Sequence, residues 1–441
     1  MNERELLTMK LLTHAPRGTK DILPGESYKW RFVENTMLHQ ASTFGFSEIR
    51  TPVFEHTELF LRSVGDDTDV VQKEMYTFLD KGNRSITLRP EGTAGAIRAA
   101  LEHNLLNDNL PTKLSYITSC YRYEKPQLGR WREFSQFGCE MIGSKSPMAD
   151  AEVILLAKSV FERLNLSDID LQINSIGCKK CRTKYYEALR AYFASYSDKL
   201  CTTCLSRLEK NPMRILDCKS EICSAIAEKS PNILDFLCEE CMEHFRLVKR
   251  YLDKVEIKYT VNPKIVRGLD YYTRTVFEFV STHENTKGLV CGGGGRYDGL
   301  IEELSGKSVP ALGFGLGIGR ILLAMEKQNI SIPQENLTDV YIVTLGEEAK
   351  VLALLLAKGL RESSFIAQCD TMDRSLKSQM KYANKLGAKF VLVLGDDEIS
   401  TNKAKIKNMQ TGEETEINLD ERFLKEFYKL FNDLKSRDFL S

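Results

Sequence analysis

The stretch "KLSYITSCYRYEKPQLGRWREFSQFGCEMIG" (residues 113–143) holds two runs of strand character separated by a polar segment. The first run ends in "YRYE", Tyr121–Glu124, and the second begins near Trp131. The segment between them, residues 125–130, is short and polar and contains a glycine. This combination predicts an antiparallel β-hairpin.

Arg122, Glu124 and Phe134 are candidate binding residues at the open end of this hairpin. Alternation along a strand would place Arg122 and Glu124 on the same face. There a guanidinium and a carboxylate could hold a phosphate and the amino group of a nucleobase. Phe134, on the return strand, could stack on that base. A cross-strand ion pair at the surface is the alternative interpretation of a short Arg-x-Glu pattern.

Arg320 is a further candidate, because it ends the run "GFGLGIGR" (Gly313–Arg320) close to the start of a predicted helix. A helix N-terminus favours anions, so an Arg there opposes the helix dipole. A polyanion bound in front of Arg320 would offset this unfavourable interaction with the helix dipole. A solvated Arg is the alternative.

The glycine runs do not match the common phosphate-binding loops. Neither "CGGGGRYDGL" (Cys291–Leu300) nor Gly313–Arg320 has the G-x-G-x-x-G spacing, and Ile301 stands where a P-loop ending in "SGKS" requires its first Gly. Glycine within a strand instead indicates close approach of a ligand or of another backbone.

Composition limits the class of protein. The 441 residues predict two or three domains, and 42% hydrophobic residues are enough for sizeable cores. Lys+Arg and Asp+Glu balance at 61 each, which neither favours nor excludes a nucleic-acid partner. Because no run of about 18 apolar residues occurs, we expect no membrane span.

The N-terminal segment, residues 1–18, mixes acids with bases and lacks a long apolar core, so we expect no targeting peptide there. The 12 cysteines are therefore expected to lie in a reducing cytoplasm, where close Cys pairs indicate metal binding or free thiols rather than disulfides.

The pattern of predicted elements changes twice along the chain. Mixed helices and strands run to about residue 336, interrupted by a helical, charged and Cys-rich insertion over residues 178–248. "SIPQENLTD" (residues 331–339) is typical of a linker. Beyond it, strands and helices alternate over residues 337–441, which predicts a small α/β domain.

At this point the sequence resembles a known family. Pro52 in a helix–strand segment, then "YRYE…RWREF", then "GFGLGIGR" resemble, in order, motifs 1, 2 and 3 of the class II aminoacyl-tRNA synthetases. Within that class, further segments are similar to those of the histidyl-tRNA synthetase family: "PRGTKDILP", "RPEGT", "FSQFGCE", "RGLDYYTRTVFEF" and "GGGGRYDGL". The resemblance spans essentially the whole chain.

The resemblance implies a fold and an activity. We expect an α+β catalytic domain with a mainly antiparallel sheet (residues 1–336), the class II synthetase fold. It would contain the helical insertion and be followed by an α/β anticodon-binding domain (residues 337–441). The implied reaction is ATP-dependent ligation of L-histidine to tRNA(His) through histidyl-adenylate, with Mg²⁺ accompanying ATP. A homodimer joined through motif 1 is also implied. The alternative is a non-catalytic regulatory subunit of ATP phosphoribosyltransferase, which shares the fold but usually lacks the anticodon-binding domain.

The resemblance also implies roles for individual residues. The first step sets a carboxylate against an α-phosphate, so fixed cations are needed, and the implied catalytic residues are Arg122 and Arg267. The implied ATP-binding residues are Arg122, Glu124, Phe134 and Arg320. The implied histidine-binding residues are Glu91, Gly92, Thr93, Gln136, Glu140, Tyr271 and Tyr272.

Within the histidine set, three residues would hold the α-amino end and two would bind the imidazole. The first three are Glu91, Thr93 and Gln136, and the other two are Glu140 and Tyr272. Tyr271, next to Tyr272, would point to the opposite face of a regular strand. The loop 125–132 would face the acceptor end of the tRNA.

The insertion contains eight cysteines between 178 and 241. "CKKC" (Cys178, Cys181) and "CTTC" (Cys201, Cys204) are separated by a spacing typical of four-thiolate zinc sites. These four residues are therefore candidate thiolate ligands of a structural zinc ion. Eight reduced thiols in a helical module are the alternative.

Overall fold

The structure, a computed structural model, describes residues 13–438 except 66, 67, 69, 108, 109 and 335–337. Residues 1–12 of the segment assessed for targeting, and three residues of the expected linker, therefore lie outside the described residues. The chain forms two compact units, which divide between Ile332 and Pro333. No helix in the described part of the chain is both long and apolar enough to cross a membrane.

The larger unit combines strands, helices and short single turns. Its strands are β1 (Ser47–Glu48), β2 (Phe54–His56), β3 (Tyr76–Leu79), β4 (Ser85–Leu88), β5 (Thr112–Tyr121), β6 (Glu133–Ile142), β7 (Ile169–Ser175), β8 (Thr260–Val261), β9 (Thr273–Ser281), β10 (Val290–Arg296) and β11 (Ala311–Gly317). Its α-helices are α1 (Pro24–Thr43), α2 (Thr57–Val64), α3 (Thr93–Glu102), α4 (Pro147–Arg163), α5 (Lys179–Ala194), α6 (Thr202–Lys210), α7 (Glu221–Glu228), α8 (Glu239–Lys254), α9 (Leu300–Ser305) and α10 (Ile318–Lys327). Single turns of 3₁₀ or π geometry occupy Val70–Glu74, Pro212–Asp217, Ile233–Phe236 and Glu284–Thr286.

Eight strands form one sheet in the order β1-β5-β6-β11-β10-β9-β7-β8, and β2-β4-β3 form a second. In the large sheet only the outermost pairs, β1 with β5 and β7 with β8, are parallel. All the pairs between them are antiparallel. The prediction of an α+β domain with a mainly antiparallel sheet is confirmed.

The predicted hairpin is β5 and β6, which pair from Thr112 with Ile142 to Tyr121 with Glu133. Strand β5 ends at Tyr121, one residue before Arg122. The expectation that strand alternation sets Arg122 and Glu124 on one face is therefore wrong. Both residues belong to the connecting loop, where the Glu124 amide bonds back to the Arg122 carbonyl at 2.8 Å.

The large sheet is two-faced because side chains alternate along each strand. On β6, Phe137, Cys139 and Met141 face the main core, where they pack with residues of α1, α4, α8 and α10. Gln136 and Glu140, at the alternate positions of β6, point to the other face. That second face of the sheet carries the candidate site.

Glycines on β10 and β11 make room for the side chains of this face. Gly313 lies opposite Glu140, and Gly315 lies opposite Gly138. A Cβ on Gly313 would collide with the Glu140 carboxylate and the Cys139 carbonyl. A Cβ on Gly293 would lie 2.9 Å from Arg267 Nη1. These glycines thus admit the protein's own side chains and neighbouring strands.

The smaller unit is a layered α/β domain, as predicted. Its strands are β12 (Val340–Thr344), β13 (Ala367–Cys369), β14 (Phe390–Leu394), β15 (Lys403–Asn408) and β16 (Glu414–Asn418), and its helices are α11 (Glu347–Glu362), α12 (Leu376–Lys385), α13 (Asp396–Thr401) and α14 (Phe423–Asp438). The sheet order is β13-β12-β14-β15-β16, parallel for the first three strands and antiparallel for the rest. Helices α11 and α14 share one core with the sheet, and α12 shares another.

The Gly313 contacts give a testable consequence. Because the added methyl would meet a buried carboxylate and a backbone carbonyl, Gly313→Ala is expected to lower the free energy of unfolding by about 1–3 kcal/mol. Gly25→Ala is the matched control, since no atom lies within 4 Å of the new Cβ. Chemical denaturation of both variants checks this expectation, and equal stabilities would contradict it.

Candidate active site

The predicted site residues gather at one cleft of about 1590 Å³ in the larger unit. Ten of them line it: Glu91, Thr93, Arg122, Glu124, Phe134, Gln136, Arg267, Tyr271, Tyr272 and Arg320. The other two, Gly92 and Glu140, lie directly behind the lining. The Gly92 amide donates to Gln136 Oε1 at 3.3 Å, and Glu140 is bonded to Thr93.

Glu140 is the centre of a buried hydroxyl network. Its Oε1 accepts hydrogen bonds from Thr93 Oγ1 and from Tyr116 Oη, each at 2.8 Å. Its Oε2 accepts a hydrogen bond from Tyr297 Oη. No part of the Glu140 side chain is exposed, so a substrate group would reach the carboxylate only if one of the three hydroxyls gave way.

Burial raises the pKa of Glu140 to about 8, although the hydroxyl donors oppose the shift. Neighbouring Glu91 adds to the rise. A carboxyl with this pKa is mainly protonated at neutral pH and ionises only in mild alkali. A protonated carboxyl has one O–H to donate, so one of the three hydroxyls would then accept a hydrogen bond from Glu140 instead of donating to it.

Tyr116 and Tyr297 were not anticipated from the sequence. Tyr116 lies opposite Gly138 in the hairpin, so the register of β5 and β6 would have placed it beside Glu140. Tyr297 follows Arg296, whose buried guanidinium pairs with Asp150 and donates to the Ser144 carbonyl at 2.7 Å. This buried pair fixes the chain next to Tyr297.

Glu91 is held by the start of helix α3. Its two carboxylate oxygens accept from the backbone amides of Thr93 (2.6 Å) and Ala94 (2.7 Å). Anions are stabilised at this end of a helix. Burial raises the pKa of Glu91, and these two backbone amides limit the rise.

Tyr271 and Tyr272 precede strand β9, which begins at Thr273. The strand rule that would have put Tyr271 on the opposite face does not apply in this turn. The two ring centroids lie 4.7 Å apart, and Tyr271 also meets Tyr297 edge-on at 5.4 Å. The three tyrosines form an aromatic wall at the histidine end proposed from the sequence.

Arg267 forms an ion pair with Glu278 of β9, a residue that the sequence did not single out. The Arg267 guanidinium also lies 5.6 Å from the centroid of the Tyr272 ring. Burial works against its charge, but Glu278 and Tyr272 outweigh it and hold the pKa of Arg267 above its usual value. Its Nε is buried without a hydrogen-bond partner among the described residues, which leaves a donor for a bound anion.

Arg122 and Phe134 meet at the open end of the hairpin. The Arg122 guanidinium lies 5.3 Å from the centroid of the Phe134 ring, and its Nε donates to the Pro90 carbonyl at 2.8 Å. Glu124 accepts from Arg130 Nη1 at 3.2 Å and lies 4.0 Å from Arg122. The Arg-x-Glu pattern thus belongs to a cleft with two arginines around one carboxylate.

Arg320 reaches from helix α10 to the hairpin loop. Its Nε donates to the Gly129 carbonyl at 3.0 Å, and its Nη1 donates to the Val290 carbonyl at 2.7 Å. Burial and the neighbouring Arg130 lower the pKa of Arg320 below its usual value. This crowding of positive charge favours a bound anion.

The insertion contacts the turn that holds Arg267 and the two tyrosines, residues 267–272, here called the histidine loop. Arg214 donates to Asp270 Oδ1 from Nε at 3.2 Å and to the Gly268 carbonyl from Nη2 at 2.8 Å. Arg182 donates to the Tyr272 carbonyl at 3.3 Å. No local pattern in the sequence indicated these contacts.

The predicted thiolate set of the insertion is wrong in its grouping. Cys178 and Cys181 lie with Cys238 and Cys241, whereas Cys201 and Cys204 lie with Cys218 and Cys223. Helix α8 brings a third C-x-x-C motif, "CEEC" (Cys238, Cys241), beside the start of α5. The prediction grouped "CKKC" with "CTTC" because these two motifs are nearest in sequence. In the structure, helix α8 packs so that "CEEC" lies next to "CKKC" instead.

The large, mainly antiparallel sheet and the arginine-lined cleft on one of its faces define the catalytic domain of a class II aminoacyl-tRNA synthetase. The family model for histidyl-tRNA synthetase matches residues 18–321, and that for an anticodon binding domain matches residues 339–426. The chain belongs to the histidyl-tRNA synthetase family.

Individual relatives agree with the family match. A histidine–tRNA ligase from Caldanaerobacter subterraneus subsp. tengcongensis is 54% identical over 411 residues, which cover 93% of this chain and 98% of that protein. One from Acetivibrio thermocellus is 52% identical over 410 residues, with the same coverage of 93% and 98%. The crystal structure of apo histidyl-tRNA synthetase from S. aureus is 42% identical, with a TM-score of 0.80, and covers 94% of this chain and 100% of that one.

Proposed function

We propose that this cleft joins L-histidine to ATP as histidyl-adenylate and that the protein then transfers the histidyl group to tRNA(His). A carboxylate oxygen of histidine attacks the α-phosphorus, and the bond to the leaving diphosphate breaks. A ribose hydroxyl at the tRNA end then attacks the carbonyl carbon, and AMP leaves. Ligation of histidine to tRNA is the activity of the family to which the chain belongs.

The observation that carries the proposal is the convergence of three arginines on one cleft. Arg122, Arg267 and Arg320 all line it. The reacting carboxylate and α-phosphate repel each other, and fixed guanidinium groups offset that repulsion without having to reorient. The unpartnered Nε of Arg267 and the lowered pKa of Arg320 both favour an anionic ligand.

The residues assigned to ATP suit their roles by position. Phe134 and Arg320 come from separate elements, β6 and α10, and both line the cleft. Phe134 offers an aromatic face to the adenine, and Glu124 can accept a hydrogen bond from the adenine amino group. Arg122 and Arg320 would bind phosphate oxygens.

The histidine end is assigned to the Glu140 network and the aromatic wall. Glu91, Thr93 and Gln136 offer acceptors to the α-ammonium group. Tyr272 would bind the imidazole, and so would the Glu140 carboxyl once one of its three hydroxyl partners moves aside. The two ring nitrogens of the imidazole differ in their hydrogen bonding. A pocket built from such groups rejects analogues that cannot satisfy them.

Mg²⁺ accompanies ATP in this family. The groups of three or more possible metal ligands among the described residues are the two cysteine quartets. The cleft instead has isolated carboxylates, so Mg²⁺ would be held mainly by the phosphates. Bound there, Mg²⁺ would neutralise phosphate charge.

Two regions are assigned to the tRNA. The loop 125–132 borders the cleft, and Arg320 holds the loop at Gly129, so the acceptor end would approach the adenylate here. The smaller unit is assigned to the anticodon, because residues 339–426 match the anticodon binding domain.

The regulatory-subunit alternative is less well supported. A protein described as an ATP phosphoribosyltransferase regulatory subunit/histidyl-tRNA synthetase, from Bacillus halodurans C, shares the fold at 22% identity and a TM-score of 0.61. This chain, however, retains the cleft arginines and includes the anticodon-binding match. Those features serve tRNA charging and are not needed for regulation alone.

Aminoacylation and ATP–diphosphate exchange test the proposal together. The purified protein should charge tRNA(His) with histidine. Arg267→Ala should reduce histidine-dependent exchange by a factor on the order of 10²–10³, because a cation at the forming charge is lost. Histidine binding, measured by calorimetry, should fall only modestly.

Arg250→Ala is the matched control, since this arginine is exposed on α8 and does not line the cleft. It should leave both assays unchanged. Near-normal exchange in Arg267→Ala would remove Arg267 from catalysis, and failure of the wild-type protein to charge tRNA would refute the function.

We also propose a homodimer formed through the motif 1 region, and a cytoplasmic location. The support for the dimer is apolar exposure on one face of the small sheet, where Phe54, two residues after Pro52, is 56% exposed and Phe78 is 48% exposed. The support for the location is that all twelve cysteines are free thiols, which suit a reducing compartment.

Light scattering after size exclusion tests the dimer. The protein should elute with twice the 50.2 kDa mass of one chain. Phe54→Asp should shift it toward the monomer, because it puts a charge into the apolar surface. Leu355→Asp, at an equally exposed position of the smaller unit, should not. A monomeric wild-type protein would contradict the proposal.

A further inference from the structure

The eight cysteines of the insertion form two separate groups of four. Quartet 1 is Cys178, Cys181, Cys238 and Cys241, and quartet 2 is Cys201, Cys204, Cys218 and Cys223. Within each quartet all four sulfur atoms lie within 4.8 Å of one another. Each quartet joins cysteines from different helices or turns, so the fold itself gathers the thiols.

The sulfur separations match a single tetrahedral ion. Cys178 Sγ lies 3.7 Å from Cys181 Sγ and 3.9 Å from Cys238 Sγ, and Cys201 Sγ lies 3.9 Å from Cys218 Sγ. Four sulfurs around one Zn²⁺ at a Zn–S distance of about 2.3 Å are separated by about 3.8 Å. The spacing is thus that of a zinc tetrathiolate.

The backbone is arranged to support thiolates. Cys178, Cys201 and Cys238 are the N-cap residues of α5, α6 and α8, so each C-x-x-C motif lies at a helix N-terminus, where negative charge is favoured. Backbone amides also point at sulfur. The Cys238 amide donates to Cys181 Sγ at 3.1 Å, and the Cys201 amide donates to Cys223 Sγ at 3.3 Å.

Other uses of the thiols fit less well. All eight are free, and a disulfide would join them in pairs and would not bring four sulfurs to equal separations. An iron–sulfur cluster places several irons and sulfides between its cysteines, which needs a wider cage than four sulfurs within 4.8 Å provide.

We propose that the two quartets are two independent structural zinc sites, and that they hold the insertion against the histidine loop. Binding joins each Zn²⁺ to four thiolates and releases the thiol protons without any redox step. Site 1 ties the start of α5 to the start of α8. Site 2 ties the start of α6 to α7 and to the 3₁₀ turn Pro212–Asp217.

Both sites lie next to residues that contact the histidine loop. Arg182, which donates to the Tyr272 carbonyl, follows Cys181 of site 1 directly. Arg214, which binds Asp270 and the Gly268 carbonyl, lies in the turn between Cys204 and Cys218 of site 2. Loss of zinc would therefore release both contacts on the loop.

Zinc analysis of the full-length protein, purified without chelator, tests the two sites. Elemental mass spectrometry should find two zinc ions per chain. Cys241→Ser and Cys204→Ser should each reduce the content to one, and the double variant should hold none. Cys369→Ser, outside both quartets, should keep two.

The wild-type protein gives a second measurement that does not depend on the variants folding. Titration with an organomercurial should release two zinc ions, detected with a metallochromic dye. Iron in place of zinc, fewer than two ions, or no metal at all would overturn the proposal. Because these readouts are metal contents, they stand or fall separately from histidine ligation.

Hydrogen–deuterium exchange tests the link to the histidine loop. Zinc removal from the wild-type protein should speed exchange in peptides that cover residues 267–272, while the smaller unit stays unchanged. Unchanged exchange in that loop would overturn the supporting role of the sites.

Discussion

The site depends on one constraint, which is that the Glu140 carboxyl is kept out of water by three hydroxyl groups. The hydroxyls come from Thr93 on α3, Tyr116 on β5 and Tyr297 after β10, so a single side chain fixes three elements relative to β6. The same constraint explains the glycine at 313, since any side chain there would displace the carboxylate. A buried polar network of this kind is stable only when its members are all bonded.

The cleft above this network is divided electrostatically. One end is aromatic, with the Glu140 network behind the tyrosines of the histidine loop. The other end concentrates Arg122, Arg130 and Arg320 around Glu124, and Arg267 lies with Glu278 between the two. An amino acid lying across the cleft would place its side chain at the aromatic end and its carboxylate at the cationic end. The chemistry follows from that division.

The features that depend on short stretches of sequence could be predicted. Strand character on both sides of a short polar loop gave the hairpin, and the motif residues did gather at one cleft. The tertiary partners could not be predicted. Tyr297 meets Glu140 across 157 residues, and Arg214 reaches Asp270 across 56. Likewise, Arg122 lies in a loop because β5 ends at Tyr121. The third cysteine motif, Cys238 and Cys241, meets Cys178 and Cys181 because of where helix α8 packs. No nearby sequence pattern indicates either feature.

The protonation state of Glu140 is the most direct test of this account. Infrared difference spectroscopy of the ligand-free protein against Glu140→Gln isolates the carbonyl band of the protonated carboxyl. Because burial raises the pKa of Glu140 to about 8, the band should be present at pH 6 and should disappear with a midpoint near pH 8. A band that is absent at pH 6, with a midpoint in the usual range of an exposed Glu, would contradict the account.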